Sequence, residues 1–128
     1  MKTLVIAAQK GGAGKTTLAR NLAVAAAQDG QRVLVLDLDP QQSLRAWWRG
    51  RESDAPMMLA DDPAPHALRA TLDAAKGRFD LVVIDTPPAA PLWLTETLRA
   101  ADLVLIPVRP SPDDLRAVGA TIAAVVAA

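Results

Sequence analysis

Short apolar runs that alternate with helical segments constrain the fold of this chain more than any other feature. Three such runs are residues 3–8 (TLVIAA), 32–37 (RVLVLD) and 80–85 (DLVVID). Because they are continuously apolar, they are typical of strands buried on both faces. A further strand is predicted at residues 102–108 and a short edge strand at 57–59. Strands alternating with helices predict an α/β fold, with a parallel sheet and helices on both faces.

The segments between these strands carry helix signals. The first spaces its apolar side chains at helical intervals and stops at Gly30, and glycine commonly follows a helix end. The sequence Asp-Asp-Pro at residues 61–63 offers an N-cap followed by proline at the first helical position. We expect helices at residues 15–29, 41–49, 61–77 and 91–100, and a last one from Ser111 onward.

Size and composition limit the classes of protein to which the chain can belong. Its 128 residues suffice for one domain and are too few for two ordinary ones. Fourteen basic and fourteen acidic residues cancel, so charge alone does not indicate nucleic-acid binding. The absence of cysteine excludes disulfides and thiolate metal sites and favours an intracellular protein. No stretch approaches the ~20 apolar residues of a membrane helix. The apolar segment 121–128 has no helix-stop signal, so we expect the chain to be a fragment of a longer protein.

A glycine-rich stretch, KGGAGKTT, follows the first predicted strand and opens the first predicted helix. Gly11, Gly12 and Gly14 allow positive φ angles, so successive backbone N–H groups can turn inward around phosphate oxygens. Lys15 would reach the β- and γ-phosphates of a nucleotide, and Thr16 would place its hydroxyl on magnesium. The alternative interpretation is a tight glycine turn with an incidental lysine. The position between strand and helix favours a phosphate-binding loop.

The stretch departs from the general phosphate-loop pattern G-x-x-x-x-G-K-[ST] at its start. Gln9 stands where the pattern has glycine, and Lys10 is a lysine that the pattern does not require. The loop therefore carries a second cation, which the general pattern leaves unexplained.

Acidic residues follow two of the predicted strands. Asp37 and Asp39 come at the end of the second strand, and Asp85 ends the strand at residues 80–85. The carboxyl ends of parallel strands face the ligand in an open sheet, so these carboxylates are placed for phosphate chemistry. Asp85 has the Walker B arrangement, in which a carboxylate holds magnesium directly or through water. For Asp37, capping of the strand end or orientation of its neighbours is an equally good interpretation.

Four stretches, KGGAGKTT, DLDPQQS, IDTPP and ADLVLIPVRPS, together resemble the ParA/MinD group of deviant Walker A ATPases. Within that group the chain looks most like the short ParA proteins of plasmid partition. The resemblance implies a P-loop NTPase fold with sheet order 3-2-4-1-5. It also implies that residues 1–128 are a single ATPase domain, the N-terminal portion of a longer family domain truncated at the C-terminus.

The resemblance implies a nucleotide-driven switch. Such proteins bind ATP with Mg²⁺, close into a sandwich homodimer and bind DNA without sequence preference. Slow hydrolysis, stimulated by a centromere-binding partner of the ParB/ParG type, then releases them. The DNA contacts of the family lie in the part beyond this sequence. The implied location is the cytoplasm, in association with the nucleoid, and no membrane partner is expected.

The resemblance also assigns roles to residues. Lys10 matches the signature lysine that reaches across the dimer to the neighbour's ATP, and Lys15 matches the lysine on the local phosphates. Asp39 matches the acid that positions the attacking water and could also meet the metal through water. Thr16 matches the magnesium ligand, and Asp85 holds the ion through water. The residues expected to contact the nucleotide are Lys10, Gly11, Gly12, Ala13, Gly14, Lys15, Thr16 and Thr17.

Other interpretations stay open at the level of sequence. The chain could be a MinD-like positioning ATPase, a relative that transfers phosphate to a metabolite, or a truncated fragment without catalytic activity that binds nucleotide or dimerises. Trp47 and Trp48 lie among arginines, which is compatible with contacts to a nucleic acid or partner, but packing is the favoured interpretation. His66 has no partner at metal-ligand spacing, which favours a surface role.

Overall fold

The computed structural model describes residues 1–7, 14–87 and 91–108, and the isolated positions 112, 113, 119, 122 and 123. Within residues 91–94 it describes only the backbone. The strands are β1 (Lys2–Ile6), β2 (Val33–Asp37), β3 (Met57–Met58), β4 (Leu81–Asp85) and β5 (Leu103–Leu105). The helices are α1 (Lys15–Gln28), α2 (Ser43–Arg49), α3 (Leu68–Ala75) and α4 (Pro91–Ala100). The isolated positions are helical, and the rest of the predicted last helix lies outside the described residues.

The sheet confirms the predicted topology. All five strands are parallel, and their order is β3-β2-β4-β1-β5, as the family resemblance implies. In register, Ile6 lies opposite Asp85, and Asp85 lies opposite Asp37. The carboxyl ends of the three central strands therefore meet at one edge of the sheet, and two of them end in an aspartate.

Both faces of the sheet are covered, because the central strands β1, β2 and β4 contribute alternate apolar residues to two cores. One core joins the strands to Leu68, Leu72 and Ala75 of α3. The other joins them to Ala19 and Ala23 of α1 and to α2. The strands β1, β2 and β4 are buried almost completely, as continuous apolar runs predict. The helices on both faces confirm the predicted fold class.

The predicted start of the third helix was wrong. The segment at residues 61–63 is not helical; a 3₁₀ turn covers Pro65–Ala67, and α3 begins at Leu68. The side chain of Asp62 accepts a hydrogen bond from Arg45 of α2 at 2.6 Å, and this contact directs it away from the start of α3.

The predicted strand at residues 102–108 was too long, since β5 ends before Pro107, which has no N–H to donate.

An exposed ion pair joins the opposite edge of the sheet, where β2 and β4 begin. Asp80 accepts hydrogen bonds from the backbone N–H of Arg32 at 2.8 Å and from the guanidinium at 3.0 and 3.2 Å. These hydrogen bonds lower the pKa of Asp80 to about 2 and raise that of Arg32. The pair therefore connects the residues that precede β2 and β4 at the amino-terminal edge of the sheet.

None of the helices within the described ranges has the length and apolar character needed to cross a bilayer.

Candidate nucleotide and metal site

The site is built where α1 begins. Gly14 precedes the helix with φ 83° and ψ 15°, a left-handed conformation that glycine adopts without strain. The carbonyl of Gly14 accepts the N–H of Leu18 at 2.9 Å and so starts the helix. Lys15 and Thr16 consequently lie in the first turn, where the free N–H groups and the helix dipole favour an anion.

Lys15 is at the centre of the site, and it is buried although it is a lysine. Its side chain is 7% exposed, and its ammonium donates hydrogen bonds to Asp85 and, at 3.3 Å, to Asp39. Asp85 lies at the end of β4 and is fully buried. The hydroxyl of Thr16 donates to the other carboxylate oxygen of Asp85 at 3.1 Å. The structure thus brings together Lys15, Thr16, Asp39 and Asp85, four residues that the sequence predicts to share a site.

Burial and charge oppose each other at Asp85. Burial raises the pKa of this carboxyl, while the charge of Lys15 and the hydrogen bonds from Lys15 and Thr16 act to lower it. The net direction is upward, because burial, aided by the negative charge of Asp39, outweighs the effects of Lys15 and Thr16 on the pKa of Asp85. A further cation close to Asp85 would stabilise its charged form.

Asp37 serves the neighbouring backbone, and its carboxylate makes no hydrogen bond to Lys15. It is fully buried and accepts the backbone N–H groups of Asp39 at 3.2 Å and of Arg45 at 2.9 Å. Burial raises the pKa of Asp37, and these two hydrogen bonds partly oppose the increase. Of the two interpretations that the sequence left open for Asp37, the structure supports orientation of its neighbours.

The donor atoms fit a nucleotide with magnesium. Mg²⁺ prefers oxygen ligands and is commonly held by one or two carboxylates together with phosphates and water. The hydroxyl of Thr16 and the carboxylate of Asp85 supply such oxygens side by side. In the part of the chain that the structure describes, no group of three or more His, Cys, Asp or Glu side chains could hold a metal alone. A magnesium ion held by these two oxygens would keep positions for phosphate oxygens and water, as Mg²⁺ commonly does.

Several predicted residues are not tested by these contacts. Thr17 is exposed on α1, and Gln9, Lys10, Gly11, Gly12 and Ala13 lie outside the described residues. The sequence assigns no role to two residues of the site region, Gln42 within the stretch DLDPQQS and Arg45 after it, whose side chains hydrogen-bond each other. The burial of Arg45 at 7% exposure has no signal in the sequence, where it resembles the other arginines of its helix.

The tryptophan segment is used for packing. Trp47 and Trp48 pack against the core that α1 and α2 share, and the indole N–H of Trp48 donates to the carbonyl of Pro56 at 2.7 Å. The guanidinium of Arg51 lies over the ring of Trp47, 4.9 Å from its centroid. His66 is exposed in the 3₁₀ turn, as predicted for a surface residue.

A parallel α/β sheet with lysine and threonine at the start of its first helix, facing a buried aspartate at the end of a neighbouring strand, defines a phosphate-loop nucleotide-binding domain. A family model agrees with this class: residues 4–128 match the description "CobQ/CobB/MinD/ParA nucleotide binding domain". The chain therefore belongs to this family, which confirms the ParA/MinD resemblance.

The chain is also similar in sequence to curated proteins that match over most of its length. It is 40% identical over 125 residues to the maintenance of carboxysome distribution protein A of Halothiobacillus neapolitanus, covering 94% of this chain and 56% of that protein. It is 34% identical over 114 residues to protein ParA of Rhizobium radiobacter, covering 89% and 51%. The chain thus spans about half the length of these relatives.

A solved structure with ligands shares the fold. Cobyrinic acid a,c-diamide synthase from Mycobacterium smegmatis, with bound ATP analogue and magnesium, superposes with a TM-score of 0.85 at 26% identity. The match covers 99% of this chain and 68% of that one.

Proposed function

We propose that the chain is the nucleotide-binding part of a Mg²⁺-dependent ATPase that acts as a switch. The observation that carries this proposal is the cluster of Lys15, Thr16, Asp39 and Asp85 at the carboxyl edge of a sheet with the family's order. Each of these side chains has the chemistry that phosphoryl transfer requires: one cation, one hydroxyl and two carboxylates.

The proposed reaction assigns one task to each side chain. When bound, ATP would supply the phosphoryl group that is transferred to water, and Mg²⁺ would neutralise part of the charge on the phosphates. Lys15 exchanges its carboxylate partners for phosphate oxygens at the start of α1. Thr16 and Asp85 would hold the metal, Asp85 through water. Asp39, now without its lysine partner, turns an acceptor oxygen toward water and orients it for attack.

The dimer is the second part of the proposal. Lys10 is assigned to the nucleotide of a second copy of the chain, so that closure of the homodimer depends on ATP. A lysine supplied across an interface stabilises transition-state charge only in the closed dimer, and hydrolysis by one copy alone is accordingly slow. The contacts of Gly11, Gly12, Ala13, Gly14 and Thr17 with the nucleotide belong to the same proposal.

The cellular role proposed first is plasmid or chromosome partition, with non-specific DNA and a ParB/ParG-type protein as partners and the nucleoid as location. The similarity to protein ParA supports this role. The second candidate is positioning of another intracellular body, and the 40% identity to a carboxysome distribution protein favours it. Both roles use the same ATP-driven switch and differ in the cargo. Pull-down of a ParB/ParG-type centromere-binding protein against pull-down of a protein of the positioned body, each with and without ATP, separates the two roles.

Thermal unfolding tests the nucleotide site. We expect ATP with Mg²⁺ to raise the melting temperature of the parent chain, because ligand at 100 times its dissociation constant adds about 2.7 kcal/mol. Lys15→Met should lose this increase. Lys76→Met is the matched control, since Lys76 forms an exposed pair with Asp73 away from the site and should keep it.

An unchanged melting temperature of the parent with ATP and Mg²⁺ would contradict the proposal for this chain. Release of inorganic phosphate, measured on the same samples, separates the enzyme from a fragment without catalytic activity. Stabilisation by ATP without any phosphate release would favour the fragment.

A further inference from the structure

Gln42 adopts an unusual backbone conformation next to the site. Its φ of 55° and ψ of 32° are left-handed, and it is the one residue other than glycine with positive φ in the part of the chain that the structure describes. A side chain with a Cβ is unfavourable there, and such strained positions gather at functional sites. Gln42 also precedes α2 without capping it through its own side chain.

The amide of Gln42 holds the backbone on both sides of Leu38. Its Nε2 donates to the carbonyl of Asp37 at 3.0 Å and to the carbonyl of Asp39 at 2.8 Å. The backbone N–H of Gln42 donates to the same carbonyl of Asp39 at 3.0 Å. Because the N–H of Asp39 donates to the carboxylate of Asp37, Asp39 is fixed at both its amide and its carbonyl.

Arg45 determines which end of the Gln42 amide faces the carbonyls of Asp37 and Asp39. Its Nε donates to the Oε1 of Gln42 at 2.7 Å, and a guanidinium can only donate, so Nε2 must face the carbonyls. The rest of the guanidinium is anchored to the carboxylate of Asp62 at 2.6 Å and to the carbonyl of Leu59 at 2.8 Å. A buried arginine thus connects the segment after β3 to the backbone of Asp39.

We propose that Gln42 and Arg45 are positioning residues for Asp39, with Arg45 acting through Gln42. The inference rests on the proposed function, in which Asp39 orients the attacking water. The oxygens of Asp39 contact Lys15 and the N–H of Gln41, while Gln42 and Arg45 fix only the backbone that carries them. Loss of the Gln42 amide therefore alters the orientation of Asp39 without removing a ligand of the nucleotide.

Steady-state ATP hydrolysis of Gln42→Gly tests this role. Glycine accepts the left-handed backbone without strain, so the change removes the amide and leaves the turn intact. We expect kcat to fall about 10- to 100-fold, the effect of misplacing a reacting group. KM should stay near the parent value, because nucleotide contacts are retained. Arg45→Lys, which keeps a charge for Asp62 and loses the Nε–H, should lower kcat in the same way. Gln31→Gly is the matched control, because Gln31 is exposed and precedes β2 at the edge of the sheet opposite the site.

The Asp39→Ala background distinguishes positioning from general damage. If Gln42 acts through Asp39, Gln42→Gly causes no further loss of kcat in that background. An equal further loss in both backgrounds would overturn the inference.

Amide hydrogen exchange of Asp39, measured without nucleotide, provides a readout that is independent of activity. Gln42→Gly should speed this exchange, and an unchanged rate would also overturn the inference. A parent chain that neither binds nor hydrolyses ATP would refute the proposed function, and the exchange experiment would still decide the positioning role.

Discussion

Replacing Lys15 with methionine should destabilise the chain by about 3 kcal/mol near neutral pH, the lower end for breaking a buried ion pair. Lys15 is 7% exposed and Asp85 is fully buried, so the change leaves a desolvated carboxylate without its cation. The lower end is appropriate because Thr16 still donates to Asp85 and because Asp39 is partly exposed. Methionine keeps most of the apolar volume of the lysine stem, so little of the loss comes from packing.

The pH dependence follows from the sign of the pKa shift. Burial raises the pKa of Asp85 in the folded chain, so its charge opposes folding above that pKa and the opposition disappears as pH falls through it. Without Lys15, which acts to lower the pKa, the raised value moves further up. The deficit of Lys15→Met relative to the parent should therefore shrink as the pH is lowered from neutral. The double variant Lys15→Met with Asp85→Asn should recover part of the loss.

Urea unfolding followed by tryptophan fluorescence measures these values. With a slope of about 2 kcal/mol per molar urea, the predicted loss lowers the midpoint by about 1.5 M. Lys76→Met removes an exposed pair with Asp73 and should change stability by about 0.5 kcal/mol or less. A Lys15→Met midpoint equal to that of Lys76→Met would refute the reasoning, because it would mean that Lys15 and Asp85 are not paired in solution.

Three other predictions concern separate residues. Asp80→Asn should lower stability at neutral pH and remove a contribution that the parent loses between about pH 4 and pH 2, since the pKa of Asp80 is lowered to about 2. Acid unfolding curves that coincide for the two chains would contradict this. Asp39→Ala should bind ATP and hydrolyse it far more slowly, and unchanged phosphate release would remove Asp39 from the mechanism. Lys10→Ala should keep nucleotide binding by the monomer and lose ATP-dependent dimerisation, and light scattering that finds equal dimers would refute its role across the interface.

The sequence predicted the central part of the sheet well because β1, β2 and β4 each have a local signature. Continuous apolar runs identified β1, β2 and β4, and the order of the strands followed from the family resemblance together with the four motifs. The start of α3 was misplaced because Asp62, which has the sequence of an N-cap, is bound by Arg45 from a different helix. A contact between residues far apart in sequence overrides local capping rules, and no pattern around residue 62 indicates it.

The residues of the candidate site were predicted from the sequence, whereas the contacts that support them were not. Lys15, Thr16, Asp39 and Asp85 follow from motif and strand ends, since parallel topology brings those ends together. The support beneath Asp39 could not be predicted, because it depends on the backbone angle of Gln42 and on the burial of an arginine. No local sequence pattern indicates the positive φ of Gln42 or the burial of Arg45. Both are evident only from the three-dimensional structure of the turn before α2.

The ammonium of Lys15 is shared by the carboxylates of Asp39 and Asp85, and this has a consequence for the binding of nucleotide with and without a metal ion. Lys15 brings one positive charge, and Asp39 and Asp85 bring two negative charges, so the three groups together carry a net negative charge. A free triphosphate approaching them meets repulsion and, in capturing the lysine, leaves both carboxylates without a counter-ion. A triphosphate already complexed with a divalent cation carries the replacement charge with it. If the chain binds nucleotide as proposed, the same three side chains would therefore favour metal-loaded over metal-free nucleotide.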